Sequence, residues 1–294
     1  MIVVTAPTSN IGRQVLEVLL AHDTPVRVIA RDPAKLPEHV RDRVEVVLGS
    51  HADAVVVQQA FEEADAVFWL VPPNPKAASV LDSYVGFTRP AAEAIRACGV
   101  KRVIDITALG RRTAWAGKAG YVTGSLAMDD LIASTGVHFR ALTLPSFMDN
   151  LLMQAAAIKS QGTFFSPIDG DLKQPFCATR DVSAVAAGWL LNSNWEGQEE
   201  VAVLGPENIS FNEMATTLTA VLGKPVRFQQ IPFNAYNANF LRFGFSEAMA
   251  HGMTEMAEAK NLGLDLGVTR TAENTTPTSF REWCELVLRP ALND

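Results

Sequence analysis

A doubly wound, parallel α/β sheet with a smaller C-terminal α+β lobe is the fold the sequence predicts. Short β-branched runs alternate with helical stretches from Met1 to Asn150. Those runs are apolar throughout, as expected of strands covered on both faces, not alternating in the way of half-exposed ones. Strand, helix, strand in that order requires crossover connections, and therefore parallel pairing.

The elements follow in order. Ile2 to Thr5 reads as the first strand and Ile11 to His22 as the helix after it. Val26 to Arg31 and Val44 to Leu48 read as strands separated by a short turn, and Asp53 to Ala64 as the next helix. Ala66 to Val71 is a strand stopped by Pro72-Pro73, Tyr84 to Cys98 is helical, and Arg102 to Thr107 is a strand. Ala127 to Ser134 reads as helix and His138 to Leu144 as strand. Leu151 to Lys159 is apolar and helix-like, and Gly162 to Gln174 carries turn residues. A helix over 181–192 and a strand over 200–204 are placed to return to the main sheet. Ser210 followed by Glu213 forms a capping box for a helix that runs to Leu222 and ends at Gly223 before Pro225. The expected division is residues 1–150 plus about 180–205 for the sheet domain, and 151–179 plus 206–294 for the smaller lobe.

Composition narrows the function classes. A chain of 294 residues with 48% hydrophobic and 19% charged residues is globular, with enough length to bury a core. Net charge is −7, and no Lys/Arg run is long enough to attract a polyanion, so nucleic acid is not an expected partner. No apolar run approaches the ~18 residues of a membrane span, and no membrane association is expected. Cys98, Cys177 and Cys284 form no CxxC and no Cys/His cluster, so neither a disulfide framework nor a metal site is expected. The five histidines are scattered and read as surface or core residues. The default location is the cytoplasm, for a monomer or homodimer acting on a small molecule.

In an open parallel sheet, ligands sit beyond the carboxyl ends of the strands, and a diphosphate meets the N-terminus of the first helix. Here that turn is Thr5-Ala6-Pro7-Thr8-Ser9-Asn10-Ile11-Gly12. It keeps the Gly-x-x-Gly-x-x-Gly spacing of dinucleotide-binding turns, with Ala6 and Ser9 in place of the first two glycines. A methyl at Ala6 fits where the backbone φ is negative, and the Ser9 side chain is expected to project toward the phosphates, bonding or obstructing them. An ordinary helix start capped by Ser9 or Asn10 is the alternative. Thr8, Ser9, Asn10, Ile11 and Gly12 are thus candidate cofactor residues. Arg31, nineteen residues beyond Gly12, stands where an acid would bind a ribose hydroxyl and where arginine accommodates a 2′-phosphate, so NADP(H) is expected over NAD(H). Val71, Pro72 and Pro145, at the ends of later strands, complete the expected cofactor crevice.

Together these residues resemble the NmrA-like branch of the atypical short-chain dehydrogenase/reductases. The resemblance runs from Val3-Val4-Thr5 through Asn10-Ile11-Gly12 and Val26 to Pro33, then Ala91-Ala92 and Gly99 to Ile104. It continues through Thr143 to Asn150, Asp181-Val182 and Leu204 to Glu207. It implies a Rossmann-type domain binding a nicotinamide cofactor, in a branch that holds quinone reductases, azoreductase-like and isoflavone-reductase-like enzymes, and non-catalytic redox-sensing regulators.

For catalysis the resemblance implies a Tyr-x-x-x-Lys pair, whose lysine lowers the pKa of the phenol. Tyr121 is present, but Ser125 stands at the lysine position and cannot deliver a proton as lysine does. Thr107, at a strand end, is where short-chain enzymes carry a substrate-bonding hydroxyl. Trp115, in the Gly110 to Gly124 segment, is a candidate to close over a ligand, while Phe147 and Asn150 are expected to bound a substrate pocket. Phe and Met residues over 233–256 offer a face for a planar hydrophobic acceptor. Two readings stay open: an NADPH-dependent reductase of a quinone, azo or enone acceptor, and a member with an altered cofactor loop that senses ligands or performs redox-neutral chemistry.

Overall fold

A computed structural model of the chain describes residues 1–293. In chain order the first part comprises β1 (Ile2–Val4), α1 (Asn10–Ala21), β2 (Val26–Ala30), α2 (Glu38–Arg41), β3 (Glu45–Leu48), α3 (Ala54–Phe61), β4 (Ala66–Trp69), α4 (Phe87–Cys98), β5 (Arg102–Ala108), α5 (Tyr121–Ala133) and β6 (His138–Leu144). The rest comprises β7 (Ser146–Phe147), α6 (Ala155–Gln161), β8 (Thr163–Ser166), β9 (Gln174–Cys177), α7 (Thr179–Leu191), β10 (Gln198–Ala202), β11 (Asn208–Ile209), α8 (Phe211–Leu222), β12 (Arg227–Gln230), α9 (Phe233–Arg242), α10 (Glu247–Asn261), α11 (Phe280–Trp283) and α12 (Arg289–Asn293).

Seven strands form one sheet in the order β10-β6-β5-β4-β1-β2-β3, every pair parallel. This is the doubly wound α/β arrangement. Successive side chains on each strand serve opposite faces. Ile2 and Val4 of β1 pack with Val15, Leu16 and Leu19 of α1 and with Val182 and Ala186 of α7. Val3 packs on the other face with Val57 of α3, Ile95 of α4 and Met128 of α5. Burying a leucine such as Leu16 contributes about 2 kcal/mol, so both helical layers are held chiefly by apolar area.

The connection from β3 to β4 passes to the other side of β1, which makes the gap between β1 and β4 the point where strand order reverses. Thr5 bridges it, its hydroxyl donating to the Phe68 carbonyl at 3.0 Å and accepting from Leu70 N at 2.8 Å.

Three elements depart from expectation. The helix read from Ala127 begins at Tyr121, because Gly120 adopts φ +51° hard against the Gly252 carbonyl and starts it one and a half turns earlier. The turn-rich stretch 162–174 contains β8, which pairs in parallel with β12. The turn after β2 contains α2. The capping box at Ser210 and Glu213 forms, and Gly223 takes the left-handed conformation at the helix end. Strand β10 joins the edge of the main sheet beside β6. No described helix is long and apolar enough to cross a membrane.

Candidate active site

The diphosphate turn is built around Gly12. A Cβ there would lie 2.3 Å from the Ala6 carbonyl oxygen, so α1 and the turn pack at a distance only glycine permits. Ala6 sits at φ +46°, in the left-handed region, so the condition of a negative angle under which a methyl fits freely is not met. It holds the glycine-type backbone with an alanine, at a cost of about 1 kcal/mol. Ser9 follows the second of its two readings, the helix cap. Its hydroxyl turns inward and accepts from Gly12 N at 3.0 Å as the N-cap of α1, satisfying a helix donor instead of projecting toward the phosphates. Ser9 N–H bonds to the Ala6 carbonyl and Arg13 N–H to the Ser9 carbonyl. The backbone N–H groups of Thr8, Asn10 and Ile11 have no partner among the described residues and remain for an anion at the helix N-terminus.

The Asn10 side chain is committed to the protein. Its Nδ2 donates to Asp149 Oδ1 at 3.1 Å and to Thr179 Oγ1 at 2.9 Å, while Gln14 Nε2 donates to its Oδ1 at 2.8 Å. Asp149 accepts in turn from Thr179 N and Thr179 Oγ1, capping the start of α7. This network fastens the N-termini of α1 and α7 to the chain leaving β6. Sequence reasoning missed Asp149, Thr179 and Gln14; the adjacent Thr143 to Asn150 run was the one signal pointing there.

At the end of β2, Arg31 is exposed. Asp32 accepts from Ala34 N as the cap of the following turn, so its carboxylate is engaged there. Beside Arg31 lies a side chain given no role from sequence: His51, buried edge-on against Trp69 and Phe87 with its Nε2 3.1 Å from the Leu70 carbonyl. Burial, helped by Arg31, lowers its pKa to about 4, so the imidazole is neutral at physiological pH and Arg31 carries the local charge. Val71 and Pro145 are buried, and Pro72 is exposed at the end of β4.

At the other end of the crevice the three tyrosines of the chain gather. Tyr121 stands edge-on to Tyr84 with ring centroids 6.1 Å apart, against Gly252 of α10 and close enough to Tyr236 of α9 to feel its charge. Its hydroxyl is buried without a partner. Burial, then Tyr236, pushes its pKa up to about 12, so it can donate a hydrogen bond without ionising. Trp115 packs with Ala119, Val122, Leu126 and Leu264, which anchors the 110–120 segment to the C-terminal elements. Phe147 is half-buried on β7 opposite Cys177, and Asn150 is exposed.

The other two candidate hydroxyls are spent. Ser125 Oγ donates to the Val122 carbonyl of its own helix at 3.0 Å. Thr107 Oγ1 donates to Asp129 Oδ2 at 2.9 Å. Beneath Thr107, Asp105 is fully buried with neither oxygen accepting a hydrogen bond. Burial, then Asp129, raises its pKa well above the usual carboxylate range. Burial raises that of Asp129 to about 6 against the pull of Asp105, Thr107 and Arg111. Arg111 reaches Asp129 at 3.3 Å and Asp130 at 2.7 Å, and also pairs with Glu200 of β10. These acids brace β5, α5 and β10 inside the wall and do not face the crevice.

Among the described residues, no group of three or more His, Cys, Asp or Glu is arranged to hold a metal. A hollow of about 540 Å³ lined by Arg27, Glu62, Glu63 and Cys98 lies at the amino edge of the sheet, away from the crevice.

The sequence model of the NmrA-like family matches residues 1–284. The (4-alkanoyl-5-oxo-2,5-dihydrofuran-3-yl)methyl phosphate reductase of Streptomyces griseus is 31% identical over 288 residues, covering 96% of each chain. The NAD(P)H azoreductase of Xenophilus azovorans is 27% identical over 285 residues, 97% of this chain and 96% of the relative. Among solved structures, the NADPH-dependent quinone oxidoreductase of Escherichia coli, complexed with NADPH, superposes with TM-score 0.79 at 20% identity over 96% of this chain and 98% of that one. The NADP(H) complex of the Citrobacter sp. triphenylmethane reductase gives 0.77 at 20% identity, covering 99% and 100%. At that identity these two likenesses speak for the fold alone.

Proposed function

The chain belongs to the NmrA-like family, and we propose on that premise that it is an NADPH-dependent reductase of a small planar acceptor of quinone, azo or enone type. The observation that carries the reading is the pairing of unspent Thr8, Asn10 and Ile11 amides at the α1 N-terminus with an exposed arginine at the end of β2. The amides suit a diphosphate and Arg31 a 2′-phosphate. Two relatives matched over nearly their whole length are named as reductases, which supports the same class.

The bound coenzyme would supply hydride. The protein would hold it at the α1 turn, with Val71, Pro72 and Pro145 along the crevice, and present the acceptor between the carboxyl edge of the sheet and residues 151–179 and 206–294. Tyr121 would donate a hydrogen bond from its unspent phenol, with Tyr236 packing on the acceptor and Trp115, Phe147 and Asn150 bounding its pocket. Ser125 and Thr107 are not carried into this mechanism, since their hydroxyls are engaged elsewhere. The lack of a proton-delivering Lys favours acceptors whose reduced form is a stabilised anion that takes its proton from water, as a quinone does. Cytoplasm, which provides NADPH and keeps Cys98, Cys177 and Cys284 as thiols, is the matching compartment.

The test is calorimetric titration with NADPH and NADH, followed by NADPH oxidation with menadione and an azo dye. Micromolar NADPH binding with turnover of either acceptor supports the reading. Absence of nucleotide binding overturns it.

A further inference from the structure

Lys260, near the end of α10, is 6% exposed and is the one lysine among the buried described residues. Its ammonium donates to Asp265 Oδ2 on the turn Leu264–Leu266, and no other hydrogen-bond partner is found for it among the described residues. Two of its three N–H donors are therefore unspent. Asp265 is 1% exposed, and its second oxygen, Oδ1, is buried without a partner. A buried ion pair is most stable when its remaining donors and acceptors are satisfied, so three open valences at one spot leave this pair able to bond a polar group brought to it.

That spot lies over the carboxyl ends of β5 and β6. Leu264 packs so tightly on Gly110, just past β5, that a Cβ there would lie 2.5 Å from Leu264 Cδ1. The turn also packs on β9, whose last residue, Cys177, stands in register with Phe147 beyond β6. The Cys177 thiol feels Lys260 and Asp265 together with Asp149 and Asp181, which sets the pair within electrostatic reach of the Phe147 end of the crevice. The C-terminal elements thus bring a buried Lys–Asp pair close to the strand ends beside α5, the helix that carries Ser125 in place of a lysine.

We infer that Lys260, held by Asp265, is the cationic group of the acceptor site and stabilises the negative charge that reduction leaves on the acceptor oxygen. This deepens the reductase reading and rests on it. In the reaction the acceptor gains two electrons and one hydrogen as hydride from NADPH, which leaves as NADP⁺. The acceptor becomes an oxyanion facing the ammonium, and one proton from water completes the hydroquinone. A fixed positive charge in a site screened from water is worth far more to that oxyanion than to the neutral acceptor.

The test compares binding of anionic 2-hydroxy-1,4-naphthoquinone with that of neutral menadione, by tryptophan fluorescence on the full chain. The wild type is expected to prefer the anion, and Lys260→Met to weaken it by about thirtyfold, the worth of a charged hydrogen bond, with menadione and NADPH affinity unchanged. Lys260→Arg should restore anion binding, and kcat for menadione should fall by about a hundredfold in Lys260→Met. Lys260→Met with Asp265→Leu removes both charges and guards against misfolding from a stranded carboxylate. It should bind the anion as poorly as the single variant. A wild type indifferent to charge, or a folded double variant that keeps the anion preference, overturns the assignment while leaving NADPH binding intact. Loss of NADPH binding in the wild type overturns the reductase reading and this assignment with it.

Discussion

Thr107 donates a hydrogen bond from its hydroxyl to Asp129 Oδ2 at 2.9 Å, joining β5 to α5 directly above the fully buried Asp105. A strand-end hydroxyl that sequence position suggests for substrate is instead the donor for an acid pair inside the wall. Thr107→Val would leave the buried Asp129 oxygen without that donor. The expected loss is about 1–2 kcal/mol of stability with NADPH affinity unchanged, read by denaturant unfolding and by titration.

The same acids make stability depend on pH. The pKa of Asp129 is raised from 3.8 to about 6, and burial and Asp129 raise that of Asp105 well above the usual carboxylate range. Between those values the folded state holds more protons than the unfolded one, so this contribution is complete at low pH and fades as pH rises through about 6. His51 works in the opposite sense: its pKa falls from 6.5 to about 4, so its contribution is present above 6.5 and is lost as pH falls toward 4. Asp105→Asn leaves His51 untouched, and the variant minus wild-type difference isolates the acid pair. The variant is expected to be more stable at pH 8, by about 1 kcal/mol or more, and no more stable at pH 4.5. A difference in melting temperature that does not grow with pH contradicts the account.

Ala6 at φ +46° carries backbone strain that glycine would relieve. Ala6→Gly is expected to raise stability by about 1 kcal/mol. Ser9→Ala removes the cap of α1 and should lower it by about the same amount. If the turn already offers its amides in the binding conformation, neither change raises NADPH affinity appreciably. A large gain in Ala6→Gly would mean that the methyl obstructs the diphosphate.

Gly12→Ala forces a Cβ to within 2.3 Å of the Ala6 carbonyl. The turn must move, so NADPH binding should be lost even in protein whose circular dichroism shows it folded. Retained affinity would show that the crevice is not where the nucleotide sits.

Arg31 carries the charge beside a neutral His51. Arg31→Ala should weaken NADPH by about tenfold or more, the worth of one charge-assisted contact, and leave NADH unchanged. Equal loss for both nucleotides would argue against a 2′-phosphate at this arginine.

The strands of the main sheet, the helices α1, α3, α4 and α7 between them, the Ser210–Glu213 cap and the positions of Gly12 and Arg31 are legible in the sequence alone. These are properties of neighbouring residues: an apolar β-branched run, a 3.6-residue period, a capping pair three positions apart. Strand β8 escaped because four residues among Gly162, Pro167 and Gly170 read as turn until β12, some sixty positions later, supplies the pairing. The commitment of Asn10 to Asp149 and Thr179, that of Thr107 to Asp129, the gathering of Tyr84, Tyr121 and Tyr236, and the packing of the Lys260–Asp265 turn on Gly110 come from long-range packing. Each depends on which distant group a side chain meets. No local pattern records that, because the partner's hydrogen-bonding capacity and burial exist only once the chain has packed.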